Sequence, residues 1–315
     1  MHTAILFLIF NRPDTTERVF DAIRRARPPR LYVAADGARA DRPEEVARCE
    51  LARRIATAVD WPCEVMTLLR ESNLGCRQAV SQGITWFFDQ EAEGIILEDD
   101  VVPDPTFFVF CEELLERYRT NTDVMMISAN HYHGDEYRPD TSYSFSRYTH
   151  IWGWGSWRRA WQHYDVNMSR WPASKASDFL FRIGGGDRDI VTYWTRIFDA
   201  TYGGAIDTWD YQWLFATMQL DGLAVTPFRN LARNIGFSAD ATHTKDANAS
   251  DANLPLEQMG FPLKHPAVVV RDAVGDAWED KHLFSIHNRP TPRLQQWLGA
   301  LRSRLSASAF SFHNR

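Results

Sequence analysis

The sequence predicts an α/β fold, a mostly parallel sheet flanked by helices, and three observations predict it. Apolar runs of strand length alternate with helix-patterned stretches through the first 130 residues. The runs at Ala4–Phe10 and Gly94–Leu97 are apolar without alternation, the pattern of strands buried on both faces. Four of the runs end in polar or charged residues, and open α/β sheets gather such ends along one edge, where ligands bind.

Each element follows from local chemistry. Ala4–Phe10 is the first strand, and Thr15–Arg27 a helix with Val19, Phe20 and Ile23 on one face, broken by Pro28-Pro29. Leu31–Ala35 is the second strand; it stops at Asp36-Gly37, and a helix opening at Pro43 follows. Glu64–Leu69 is the third strand, and the helix Arg77–Phe88 begins after Asn73-Leu74-Gly75. Gly94–Leu97 is the fourth; Asp104 then caps a helix over Thr106–Tyr118 with Pro105 in its first turn, and Val124–Ser128 is a further strand. This alternation means βαβ units with right-handed crossovers.

Beyond Ala129 the pattern turns to helices and loops. Tyr143–Ser146 alternates as a half-exposed strand does, and four tryptophans, Trp152, Trp154, Trp157 and Trp161, crowd the start of a helical segment around Arg158–Tyr164. Helices cover Asp187–Tyr202 and Trp209–Leu220. Gly184-Gly185-Gly186-Asp187 follows a helix and lacks a Lys-Ser/Thr, so it reads as a linker and not as a phosphate loop. Residues 238–254 read as a loop, and Arg293–Leu305 sets Leu294, Trp297, Leu298, Leu301 and Leu305 at helical spacing. That amphipathic helix suits docking on its own domain or a partner, with a membrane surface as the alternative.

Composition narrows the class. With 315 residues, 44% hydrophobic and 24% charged, the chain has the make-up of a globular protein of one large or two smaller domains. Its net charge of −6 argues against a general nucleic-acid binder. Cys49, Cys63, Cys76 and Cys111 have no CxxC spacing and read as reduced core residues of a cytosolic protein. The first apolar run is too short for a membrane span and lacks the flanks of a signal peptide.

The chemistry concentrates where Ile95-Ile96-Leu97 runs into Glu98-Asp99-Asp100. Three adjacent acids at a buried strand end repel one another unless a cation or donors neutralise them, and a hard divalent metal carrying phosphate oxygens meets that need. The other strand ends bring Asn11-Arg12-Pro13, Asp36-Gly37 and Asn73-Leu74-Gly75-Cys76-Arg77 to the same crevice. Asp36 can accept from a base N–H or a ribose hydroxyl, and Arg12 or Arg77 can pair with a phosphate. Trp154 is the aromatic set nearest a bound sugar, because its flanking glycines let backbone approach a ligand.

The ordered set resembles the GT-A fold glycosyltransferases, and more narrowly the bacterial nucleotide-diphospho-sugar transferases, themselves similar to the animal N-acetylglucosaminyltransferase that initiates hybrid N-glycans. The resemblance runs from Ala4 to Thr244 and is strongest over 93–111. Ser128-Ala129-Asn130, Gly153-Trp154-Gly155, Trp209-Asp210 and Gly236-Phe237-Ser238 with His243-Thr244 recur in the same order. It implies a nucleotide-sugar-binding half over 1–130, an acceptor and catalytic-base half over 131–250, and a C-terminal extension over 251–315. It also implies that Asp100 binds Mn2+ or Mg2+, Asp99 faces the ribose, Glu98 the donor sugar, Asp36 the base and Arg12 the nucleotide or diphosphate. Asn73 and Arg77 join the donor site, and His243 is a candidate diphosphate or second metal contact. Transfer with inversion needs a base for the acceptor hydroxyl, and Asp210 is the candidate, with Asp207 in reserve. The activity implied is transfer from a uridine diphosphate sugar to a glycan, glycolipid or other hydroxyl acceptor. The sequence places it in the cytoplasm, with peripheral membrane contact through the C-terminal helix as the alternative to docking on its own domain or a partner. Two other classes stay open: a sugar-phosphate nucleotidyltransferase, which the missing Gly-rich basic loop after the first strand disfavours, and a non-catalytic carbohydrate-binding protein.

Overall fold

A computed structural model describes residues 1–134, 137, 139–236 and 254–287. Its first half is the expected alternation. Strands β1 (Ile5–Ile9), β2 (Arg30–Ala35), β3 (Glu64–Leu69) and β4 (Glu93–Glu98) are interleaved with helices α1 (Pro13–Ala26), α2 (Glu45–Thr57) and α3 (Gly75–Gln90). They pair in parallel in the order β3-β2-β1-β4, with Ile5 beside both Leu31 and Ile95. β1 and the apolar stretch of β4 are buried throughout, as non-alternating runs require.

The sheet continues past β4 by a different rule. After the short strand β5 (Val101–Pro103) and helix α4 (Pro105–Arg117) come β6 (Val124–Ser128), β7 (Tyr143–Ser146) and β8 (Trp154–Trp157). β8 inserts antiparallel between β4 and β6. β9 (Leu223–Pro227) then pairs parallel with β6 and antiparallel with β7, which completes an eight-stranded mixed sheet in the order β3-β2-β1-β4-β8-β6-β9-β7. β7 is more buried than its alternation predicts, because Ser146 spends its hydroxyl on a buried carboxylate, Asp276. A second, two-stranded sheet joins β5 to β10 (Ala232–Asn234). The fold is α/β, with the Rossmann-like sheet and flanking helices expected of a GT-A fold.

Each face of the sheet carries its own core. On one, Val19, Phe20 and Ile23 of α1 and the Phe107–Leu115 face of α4 pack on Ile5, Phe7, Leu31 and Leu97. On the other lie Ile84 and Phe87 of α3, Trp161 of α5 (Arg158–Trp161), and Trp209 and Trp213 at α9 (Asp210–Gln219). A third cluster joins α6 (Trp171–Lys175), α7 (Phe179–Ile183) and α8 (Arg188–Tyr202) around Trp171, Trp194 and Phe198. The Gly184–Gly186 segment is the turn between α7 and α8, and Asp187 caps α8 by accepting from Asp189 and Ile190 amides. All four cysteines are free, with Cys49 and Cys111 buried.

Residues 254–287 are built into the same body. Met259 and Leu263 enter the first core, and α10 (Ala273–His282) turns Asp276, Glu279 and Asp280 inward. Arg147 and Arg271 meet Asp276, Arg147 and Tyr148 meet Asp280, and His150 and His133 face Glu279 at 3.1 and 3.5 Å. The amphipathic helix expected at Arg293–Leu305, the loop at 238–254 (apart from Leu254) and His243 lie outside the described residues.

Candidate active site

The acid cluster sits where β4 leaves the sheet. Ile95, Ile96 and Leu97 are fully buried, so the strand delivers Glu98, Asp99 and Asp100 to its carboxyl end with no freedom to turn away. Asp99 Oδ2 accepts the Phe10 N–H at 2.9 Å, which ties the end of β4 to the end of β1. Arg12, at the amino end of α1, places Nη1 at 2.6 Å from Asp100 Oδ2 and 3.8 Å from Asp99 Oδ1. One guanidinium thus answers for two of three carboxylates. Glu98 Oε1 is buried without a hydrogen-bond partner among the described residues.

Charge crowding registers in the protonation equilibria. Burial first, then Asp100, Asp99 and Asp210, push Glu98 well above the usual carboxylate range, with Arg12 opposing. Asp99 is pushed up to about 7 by burial and then by Asp100, against Arg12 and the Phe10 amide. An orphaned buried oxygen, crowded carboxyls and an all-oxygen donor set fit a hard divalent cation, for which Asp100 would be the protein ligand. Among the described residues, the group of three whose ligand atoms lie within 4.8 Å of one another is elsewhere, at Asp187, Asp189 and His287. There Asp187 is already the cap of α8 and His287 lies between the two carboxylates, an arrangement that ion pairing explains.

The carboxyl ends of β1 and β2 lie along the same edge of the sheet, and Asp210 at the start of α9 is within electrostatic reach of the cluster. Asp36 accepts from the Gly37, Leu74 and Gly75 amides and from Asn73 Nδ2 at 2.9–3.1 Å, and Asn73 also donates to the Gly37 carbonyl. Both residues expected at the nucleotide therefore hold the loop in which α3 begins. Burial is the main reason the Asp36 carboxyl is raised, against those amides. Gly37 is required there, because a Cβ would lie 2.5 Å from the Ser72 backbone. The Asn11 carbonyl accepts from Arg48 Nε at 2.9 Å. Asp210 opens α9, with Oδ1 held by the Thr208 hydroxyl. Its charge, with those of Glu98, Asp207 and Asp100, acts on Cys76, whose thiol is raised chiefly by burial. The end of β4, the start of α3 and the start of α9 thus converge.

One expectation is corrected. Trp154 is fully buried between Trp161, Trp209 and Trp213, stacked on Trp209 at 5.8 Å, and has no face to offer a sugar. It supports the site from beneath, under the residue that precedes Asp210. Arg77 donates to the Val166 carbonyl at 2.5 Å, fastening α3 to the loop after α5.

The main residue missed from the site is Gly236. The Ile235 N–H donates to the Asp100 carbonyl at 2.7 Å, and a Cβ on Gly236 would lie 2.2 Å from Asp100 Oδ2. The Gly-Phe-Ser motif signalled the position, but only the β5–β10 pairing shows that it closes over the metal candidate. His131, His133 and His150, which no motif singled out, form a second buried polar group near the end of β6. On the opposite edge, a cavity of about 660 Å³ is lined by Glu91, Glu93, Glu112, Arg30 and Arg119, whose charges largely pair among themselves. It faces the amino ends of β1 and β4, away from the edge where such sheets bind ligands.

No protein-family model and no curated protein matches the chain. Among solved structures, it is similar to mouse xyloside xylosyltransferase 1 in its apo form, at 10% identity and a TM-score of 0.34, over 70% of this chain and 82% of that one. It is also similar to the UTP-bound UGPase of Acinetobacter baumannii, at 9% and 0.37, over 75% of this chain and 89% of that one. A third likeness is to residues 1–349 of S. aureus TarS, at 10% and 0.33, over 50% of this chain and 47% of that one. Likenesses this distant say nothing about chemistry, which rests on the geometry above.

Proposed function

We propose that the chain is a metal-dependent inverting glycosyltransferase that moves a sugar from a nucleoside diphosphate donor, uridine diphosphate by expectation, to a hydroxyl of a glycan or glycolipid. The observation that carries the reading is the Glu98–Asp100 cluster at the carboxyl end of β4. It has an unpartnered buried oxygen, Arg12 alongside, and Asp210 within electrostatic reach. Asp100 would hold a divalent cation, Mn2+ or Mg2+, which when bound supplies positive charge for the departing diphosphate.

The protein's own groups do the rest. Asp36 and Asn73 shape the loop on which the base would rest, and the Arg12 guanidinium is suited to bidentate contact with a diphosphate. Glu98, poorly solvated, gains a partner when a sugar hydroxyl donates to Oε1. Asp210 takes the proton of the acceptor hydroxyl on the face opposite the leaving group, as an inverting mechanism needs. Thr208 fixes the carboxylate so that little motion is required.

A panel of nucleotide sugars, each with and without Mn2+ or Mg2+, tests the reading. A specific donor raises the melting temperature in the presence of metal and is transferred or slowly hydrolysed. Asp100→Ala abolishes the metal effect. Asp210→Asn binds the donor as before and loses about 100-fold or more in transfer rate, the usual contribution of a general base. Full activity in Asp100→Ala sinks the metal role. Pyrophosphate release from a sugar phosphate and a nucleoside triphosphate replaces transfer by nucleotidyl chemistry. Among the described residues no helix is long and apolar enough to cross a membrane, and the membrane contact proposed is peripheral, through Arg293–Leu305.

A further inference from the structure

We propose that Arg12 is a built-in competitor for the metal: its guanidinium holds Asp100 until a diphosphate draws it away, so that cation and nucleotide enter the site together. The inference rests on the metal reading above and adds to it an order of events. Arg12 Nη1 lies 2.6 Å from Asp100 Oδ2, the oxygen over which Gly236 also closes. That oxygen is therefore covered by backbone on one side and by a cation on the other. A divalent ion binds a carboxylate oxygen at about 2 Å. On that oxygen it would sit no farther than about 5 Å from a guanidinium, which cannot shed its charge to make room. The pair is largely enclosed, with side chains 21% and 16% exposed, so salt screens the conflict poorly. The two cations therefore compete for that oxygen.

The local structure shows which one can move. The Arg12 backbone is fixed, because its carbonyl accepts from the Thr16 amide and from the Thr15 and Thr16 hydroxyls, and Pro13 follows. The side chain beyond it is long, so its guanidinium can be re-aimed about a stationary Cα. A phosphate offers a planar fork a two-bond partner, an exchange for the carboxylates that costs little. Binding of the nucleotide then vacates Asp100 for the metal, and by reciprocity the metal strengthens the nucleotide by the same factor. Without nucleotide, Arg12 keeps the acid cluster neutral enough to fold and keeps stray cations out.

Direct Mn2+ binding, read by the loss of the free Mn2+ spin-resonance signal, tests this without any turnover. Wild type, Arg12→Met and Arg12→Met/Asp100→Asn are compared first with no nucleotide present, and thermal melting checks that each is folded. Arg12→Met is expected to bind Mn2+ about tenfold more tightly than wild type, and the double variant to lose that gain. With UDP added, wild type is expected to gain more Mn2+ affinity than Arg12→Met does, and Arg12→Met to bind UDP more weakly. Arg12→Gln, which can still hydrogen-bond Asp100 but carries no charge, gives the same comparison should the methionine variant not fold. Equal Mn2+ affinity in wild type and both Arg12 variants, lost on Asp100→Asn, overturns the competition and leaves the metal site standing. Mn2+ binding that ignores Asp100, or none at all even with UDP, overturns the metal reading and this inference with it.

Discussion

Gly236 shows how closely the acid cluster is built. A methyl group there would reach 2.2 Å from Asp100 Oδ2 and 2.9 Å from Asp100 Cβ, distances no side chain tolerates. Gly236→Ala must push the end of β10 off Asp100 or turn the carboxylate away, at about 1–3 kcal/mol of overpacking. The fold should survive, since the strain falls on a three-residue edge strand, while affinity for Mn2+ with UDP drops about tenfold or more. Calorimetry showing wild-type affinity would mean that Gly236 does not cover the metal position. The place of Glu98, Asp99 and Asp100 at a buried strand end was legible in the sequence, because a continuous apolar run that stops in three acids marks a strand reaching the edge of its sheet. Trp154 was not, because glycines flanking a tryptophan have two explanations. They were read as room for a ligand, but Gly153 sits at φ +79°, a backbone conformation that favours glycine, and a Cβ on Gly155 would make only ordinary contacts with Cys111 and Leu115 at 3.5–3.6 Å.

At the scale of elements, the legible pieces were those whose buried face is apolar. β1, β4, β6, α1 and α4 announce themselves by hydrophobic pattern, and their ends fall within a few residues of expectation. α10 does not, because the face it buries is Asp276, Glu279 and Asp280, a spacing that in sequence reads as a solvated charged stripe. β8 was hidden in the same way: Trp-Gly-Ser-Trp carries no alternation, and its buried Ser156 hydroxyl donates to the Met125 carbonyl. A helix docked through buried charge makes stability depend on pH. His133 is 3% exposed, and burial first, then His150, lower its pKa below the ordinary 6.5, against Glu279, the Gly275 carbonyl and Asp272. The folded state therefore binds fewer protons than the unfolded chain below pH 6.5. From this group stability falls as the solution is acidified, by up to about 1.4 kcal/mol per pH unit. Glu98, Asp99 and Asp276, all raised, act in the opposite sense: their contribution is fullest at low pH and declines as pH rises. The measurement is thus a difference. Denaturant unfolding of wild type and His133→Phe between pH 7.5 and 5 should show a smaller acid loss in the variant, and identical pH dependence would clear His133 of the effect.

For the whole molecule, the distribution of charge matters more than its total. Residues 288–315 hold five arginines and no acid, so a chain of net charge −6 divides into −11 over residues 1–287 and +5 beyond them. The same stretch carries Leu294, Trp297, Leu298, Leu301 and Leu305, the apolar stripe and basic flank that favour an anionic lipid surface. Each arginine near such a surface contributes about 1 kcal/mol, enough for reversible attachment of an otherwise acidic body that the surface repels. The described residues show where to cut. Phe284 and Ile286 are seated in the third core, with Phe284 at 4.7 Å from Tyr148 and 5.2 Å from Trp194 in ring separation, so a chain ending at His287 keeps its packing. A cut before Leu254 would instead strip Met259, Leu263 and the three buried acids of α10 from their partners. The truncation at His287 should melt within a few degrees of the full chain and turn over donor equally well. In sedimentation with vesicles, the full chain should bind those containing phosphatidylglycerol, release in high salt and ignore neutral phosphatidylcholine, while the truncated chain binds neither. Equal sedimentation of both chains would move any membrane affinity to the body, where the charge opposes it, and would leave the C-terminal stripe to a protein surface.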